Sequence, residues 1–217
     1  MPRKHQITNT RNTLLSLAIG GIFVPTLALA GTGTPTLGVG YDNVGVNAGG
    51  IHSTLPAAKI SGLTTYPDGY AWGFGLALGS GNGLTYQHLA ATVEKALPFD
   101  GGTITPEITA GVTRVGIGYG QHLRAAYAGF GAGYAYPLGR DVLVGVSGGV
   151  GRDFATSVPG IPTVGGLYYQ ASADVAFRGI GPGSLEIGYQ YRHLPLTTSH
   201  GINLNTGEVF GQYKITL

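Results

Sequence analysis

The feature that most constrains this chain is a period of two. In residues 183–194, GSLEIGYQYRHL, Leu185, Ile187, Tyr189 and Tyr191 take every second position, and Glu186, Gly188, Gln190 and Arg192 fill the gaps. A β-strand places alternate residues on opposite faces, so one face here is apolar and aromatic while the other carries a carboxylate, an amide and a guanidinium. The pattern recurs. Tyr70, Trp72, Phe74, Leu76 and Leu78 oppose Ala71, Gly73, Gly75 and Ala77, and Ala126, Ala128, Phe130, Ala132, Tyr134 and Tyr136 repeat the theme. Val142, Val144, Val146 and Val150 oppose Leu143, Gly145, Ser147 and Gly149; Leu167, Tyr169, Ala171, Ala173, Val175 and Phe177 oppose Tyr168, Gln170, Ser172, Asp174 and Ala176. Each run is about 9 to 13 residues, the length at which a tilted strand crosses a bilayer. Lys95 falls on the apolar side of Leu89, Ala91, Val93 and Leu97, close enough to a turn to snorkel.

Turn chemistry divides the runs. YPDG at 66–69, FDGG at 99–102, PLGRD at 137–141 and RGIGPG at 178–183 combine Gly, Pro and Asp as tight reversals require. Between them lie segments long enough for two strands and a connecting loop. The expected strands are 36–46, 55–66, 69–79, 84–98, 103–116, 123–137, 141–152, 166–178, 183–193 and 207–217. Pro56 and Lys59 interrupt the second; if the first hairpin stays out of the wall, the count is eight. Ten strands place both termini on the periplasmic side, with the longer loops, 153–165 and 195–206, outside.

Two architectures share this alternation, and composition separates them. A soluble sandwich solvates its second face with abundant charge. Here only 10% of residues are charged, and the non-aromatic face is mostly Gly, Ala, Ser and Thr. Such a face suits the inside of a narrow barrel, where inward side chains are small or pair with one another. The expected fold is therefore all-β: a closed antiparallel up-and-down transmembrane β-barrel of ten strands, with eight as the alternative. Tyr66, Tyr70, Trp72, Phe99, Tyr134, Tyr136 and Phe177 flank the tight turns, as expected of aromatic residues at a membrane interface.

Residues 1–30 read as a cleaved secretory signal: Arg3, Lys4 and Arg11, an eleven-residue apolar run at 14–24, then Ala28, Leu29 and Ala30 before the cut. The apolar run is too short to cross a bilayer as a helix. Residues 31–217 form the barrel domain. Three of the twelve Lys and Arg lie in the leader, leaving nine against ten Asp and Glu, so no basic stripe implies a nucleic-acid partner. With no cysteine, disulfides and thiolate metal sites are excluded. No cofactor or metal is expected; His52, His88 and His122 have no ligand spacing.

Projected inward, Glu94, Glu107, Asp174, Glu186, Arg192, Glu208 and Lys214 share the lumen with His88, Gln190 and Gln212. Opposite charges in a narrow tube must pair, because an uncompensated buried charge costs several kcal/mol. The favoured reading is a structural salt-bridge network; the alternative is a gated path for small solutes. His193, Ser199, His200 and Glu208 near the C-terminus raise a hydrolase reading, since a Ser, a His and a carboxylate can form a nucleophile and base. That segment is somewhat similar to the outer-membrane lipid A deacylases, whose His-x-Ser-Asn stretch precedes a Glu. Leu194 and Pro195 follow His193 here, with no Ser-Asn, so rim and loop roles are expected for these residues.

The segment LEIGYQYRHL, a polar loop, and INLNTGEVFGQYKITL resembles the closing hairpin of Gram-negative outer-membrane barrels of the opacity-protein and OmpA-like type. In the last strand Val209, Gly211, Tyr213, Ile215 and Leu217 alternate, with Leu217 at the usual aromatic position. The resemblance implies recognition of that strand by the barrel assembly machinery and contact of the wall with outer-membrane lipid and lipopolysaccharide. The expected function is non-enzymatic, structural or surface-interacting through the loops; a porin-like channel and a lipid A-modifying hydrolase are the alternatives.

Overall fold

The computed structural model describes residues 33–217 except Tyr119, Pro162, Thr198, Ser199 and His200. The expected signal segment, residues 1–30, lies outside the described residues. No described helix is long and apolar enough to cross a membrane, which says nothing of strands. Strands β1 (Thr34–Ala48), β2 (Ile51–Thr65), β3 (Tyr70–Gly81), β4 (Leu84–Lys95), β5 (Leu97–Phe99), β6 (Gly102–Gly116), β7 (His122–Pro137), β8 (Val142–Ser157), β9 (Leu167–Ile180), β10 (Gly183–Pro195) and β11 (Asn203–Thr216) form one antiparallel sheet. Apart from β4 and β5, which do not pair with each other, sequence neighbours are paired, β1 pairs with β11, and β4 pairs with β6, so the sheet closes on itself.

The wall has ten strands because β4 and β5 are two parts of one. They are separated at Ala96, whose N–H donates to Gly69 O in the adjoining turn at 2.8 Å. Facing the break on β6 is Pro106, between the pairs Glu94–Glu107 and Leu97–Ile104. A proline has no N–H to give the ladder, so the break falls where the partner strand cannot donate. Pro56 is accommodated similarly: β2 pairs with β3 only from Ala57 onward, leaving one flank of β2 unpaired at the proline. The first hairpin therefore belongs to the wall, and the eight-strand alternative is excluded.

The strands are longer and the loops shorter than the sequence suggests. β1 and β2 meet at Gly49–Gly50, with φ of 53° and 85°, and β3 and β4 at Asn82–Gly83, with φ of 51° and 76°. Two successive positive φ angles make the tight reversal whose twist matches a hairpin. The expected loop at 153–165 contracts to 158–166 because β8 continues through Ser157; that at 195–206 contracts to 196–202 because β11 begins at Asn203. Both loops are tied down. Gly166 N–H donates to Asp153 Oδ1, Thr163 Oγ1 donates to Thr156 O at 2.6 Å, and Leu196 N–H donates to Ile202 O at 2.8 Å.

Fifteen-residue strands also change what each face must do. At roughly 3.3 Å per residue and a tilt near 40°, such a strand rises about 38 Å, well beyond an apolar band of about 25 Å. The amphipathic pattern reverses accordingly. Near the end where β1 starts and β11 finishes, the terminal end, Leu37, Val39 and Tyr41 face outward; farther along β1, Asn43, Gly45 and Asn47 face outward, while Val44, Val46 and Ala48 turn inward and are buried. On β4, Leu89, Ala91 and Val93 point out, whereas at the opposite, loop end Thr85 and Gln87 point out and Leu84 and Tyr86 point in.

Candidate functional site

The lumen is stratified along its axis. At the loop end it is filled by Val44, Leu55, Leu84, Val115, Leu123, Leu194, Leu196 and Leu204, one apolar cluster with Tyr86, Tyr127 and Tyr168 at its base. The reversed alternation supplies these residues: once a strand has risen past the apolar band, its outer face meets water and its inner face can form an ordinary hydrophobic core. Leu196, just after β10, adds to the closure from the loop and is fully buried.

Beneath this plug is a charged layer. Arg192 Nη1 on β10 donates to Glu208 Oε1 on β11 at 3.1 Å, and Tyr86 OH on β4 donates to the same oxygen at 2.7 Å. Because β4 stands across the barrel from β10 and β11, this arrangement ties opposite walls together. Arg192 and Glu208 are 1% and 2% exposed, a depth at which a charge is retained only with a hydrogen-bonded partner. The guanidinium lies 5.9 Å from the Tyr127 ring centroid; Tyr127 stacks on Tyr168 at 4.4 Å and shares a 2.8 Å hydrogen bond with His88 Nε2. Gly111 makes room for this stack, since a Cβ there would lie 2.5 Å from the Tyr127 hydroxyl and 2.8 Å from Leu89 O. Beside it, Lys59 Nζ lies 3.9 Å from Asp42 Oδ1 and 4.1 Å from the Phe210 centroid.

Toward the terminal end the lumen opens into a polar cavity of about 390 Å³, lined by Glu94, Glu107, Gln170, Gln190, Gln212 and Lys214 among others. Glu186 pairs with Lys214 and accepts from Gln212 Nε2 at 2.7 Å. Gln170 Nε2 donates to Glu107 at 3.4 Å, and Ser147 and Ser172 hydrogen-bond at 2.8 Å. Among the described residues, Glu94, Glu107 and Asp174 have no cation within salt-bridge distance. The sequence-derived lumen set is thus divided: Arg192 and Glu208 form the buried pair at the inner end of the cavity, Glu186, Gln212 and Lys214 form a second linked group, and Glu94, Glu107 and Asp174 are not ion-paired, with Gln190 in the lining beside them.

The expected interface aromatics stand at the terminal end. Tyr70, Phe99, Tyr136 and Phe177 are exposed on the outer wall, and Trp72 and Tyr134 are half-buried there. Tyr66 belongs to the first turn at that end, where its N–H donates to Tyr70 O. Phe99 meets Tyr134 edge to face, and Lys95 Nζ sits 4.3 Å from the Tyr70 centroid, its ammonium carried toward the strand end. Tyr169, Tyr189 and Tyr191, which the alternation already turns outward, form with Tyr41 a second aromatic group near the level where the strands invert. Tyr168, set on the opposite face by the same alternation, is inward, whereas the inward Asp42, Tyr86 and Tyr127 were not expected. Their signal is the shift in β1 from odd apolar positions (Leu37, Val39, Tyr41) to even ones (Val44, Val46, Ala48).

The sheet separates the residues of the hydrolase reading. His193 faces outward, stacked on Tyr169 at 4.5 Å and bonded through Nδ1 to Asn205 at 2.6 Å, while Glu208 faces the lumen. Ser199 and His200 lie outside the described residues. No group of three or more His, Cys, Asp or Glu able to hold a metal occurs among the described residues.

No protein-family model and no curated protein matches the chain. Among solved structures it is similar to the outer-membrane protease OmpT of Escherichia coli, with a TM-score of 0.54 at 7% identity, covering 85% of this chain and 97% of that one. It is also similar to the β domain of the Bordetella autotransporter BrkA, at 0.51 and 11% identity over 85% and 99% of the two chains. Neisserial surface protein A superposes at 0.46 with 9% identity over 84% and 97%. At these identities the shared property is architecture: the chain has the fold of an outer-membrane β-barrel, closed by ten antiparallel strands.

Proposed function

We propose that this chain is a sealed, non-enzymatic barrel of a Gram-negative outer membrane, exported by its N-terminal signal and acting as a structural or surface-interaction protein. The observation that carries the reading is the plug: Val44, Leu55, Leu194, Leu196 and Leu204 are 0% exposed, the close packing of an ordinary protein interior. The termini face the periplasm and the loop end faces outward, with exposed residues such as Gly160, Val164 and Gly201 offered to partners. Outer-membrane lipid and lipopolysaccharide surround the belt of Leu37, Val39, Leu89, Val93, Ile108 and Val146. The final strand, with Val209, Tyr213 and Ile215 outward, is the segment presented to the barrel assembly machinery.

Planar-bilayer recording tests the sealed lumen. Purified protein is expected to give no discrete openings, and steps that persist through purification would replace this reading with the small-solute channel. Protease treatment of intact cells is expected to cleave only at 158–166 or 196–202, with heat-modifiable migration of the purified barrel on detergent gels. Release of fatty acid from lipopolysaccharide by the purified protein would restore the hydrolase.

A further inference from the structure

The outer wall carries a basic groove above the apolar band. Arg114 on β6 and Arg124 on β7 are directly opposed in the ladder, both facing outward and exposed, and Gln87 on β4 is directly opposed to Arg114 on its other side. With His122 they border a depression of about 340 Å³ whose apolar part is formed by Leu76, Leu78, Leu89 and Val112. Like charges placed opposite each other on one face of a sheet repel. No described carboxylate lies within salt-bridge distance of either guanidinium. A wall that needed only polarity at this height could use Asn or Thr, as β1 does with Asn43 and Asn47.

We propose that this groove binds a phosphorylated lipid headgroup, with the lipid's acyl chains lying along Leu76, Leu89 and Val112, one ladder row below the arginines. Two guanidinium forks on adjacent strands can each offer paired N–H donors to phosphate oxygens, and the anion relieves their mutual repulsion. Gln87 and His122 supply further donors at the rim. The choice of a lipid over a free anion follows from the lining: Arg114 and Arg124 stand on the loop-end side of the groove and Leu76, Leu89 and Val112 in the next row toward the membrane, the same division as in the ligand. The site rests on the membrane placement proposed above.

Native mass spectrometry of the full barrel released from detergent, with diphosphorylated lipid A as the probe, tests it. The wild-type protein is expected to retain one lipid, and R114Q/R124Q to weaken retention roughly tenfold or more. Lipid A stripped of its phosphates is expected to bind the two proteins equally weakly. Retention unchanged in the double variant, equal retention of the dephosphorylated lipid, or displacement by inorganic phosphate alone at matched concentration would each overturn the site. Heat-modifiable migration of both proteins checks separately that each is a folded membrane barrel, so loss of the site and loss of the membrane reading are distinct results.

Discussion

Arg192 is the largest side chain among the fully buried described residues, and its surroundings explain how a guanidinium persists there. Glu208 supplies the counter-charge, Tyr86 bonds the same carboxylate oxygen, and the Tyr127 face lies within cation–π range. Removing one member should cost more than removing the pair. Glu208→Ala leaves the cation buried without an anion, and the expected loss is about 3–5 kcal/mol, read as a lowered urea midpoint for unfolding in micelles. The double variant R192M/E208L fills the same layer with apolar groups and should unfold nearer to wild type. A double variant as unstable as Glu208→Ala would show that the layer is held by something other than charge pairing.

At the scale of elements, β1 and β4 each perform two roles in succession. Below the switch the outer face meets lipid and the inner face is polar or glycine; above it, the outer face meets water and the inner face packs. No bulge is needed in β1, because the backbone keeps its period while the apolar residues change parity between Tyr41 and Val44. The long strands depend on two-residue turns to return within the wall. Gly50, at φ 85°, is in a region that a β-branched residue adopts only with strain. Gly50→Val should therefore cost about 1–3 kcal/mol, seen as a lower temperature for conversion to the heat-modified form, while Gly50→Asn should cost less.

For the whole molecule, closure has two meanings. The β1–β11 and β4–β6 ladders close the wall, and the apolar plug fills the loop end of the lumen. These separate experimentally. Leu55→Ala with Leu194→Ala and Leu204→Ala thins the plug without touching the outward face, and a folded, heat-modifiable variant should conduct in planar bilayers where the parent is silent. Silence from that variant would assign the seal to the Arg192, Tyr127 and Tyr168 layer beneath.

What the sequence determined by itself is the period, the punctuation and the sign of the outer face: Leu185, Ile187, Tyr189 and Tyr191 beside Gly-rich turns imply a strand wall with a lipid-facing side. Those are local properties, since alternation fixes which residues share a face and turn residues fix where a chain reverses. Only the tertiary structure decided which inward groups meet. Tyr86 and Glu208 are 122 positions apart and touch because the sheet closes, and the shear of that closure is a property of all ten strands together. The structure likewise divided the lumen into a plug and a cavity. The physical reason is height: a side chain facing inward must be apolar or paired according to whether the wall outside it meets water or lipid, and residue spacing within one strand does not carry that boundary.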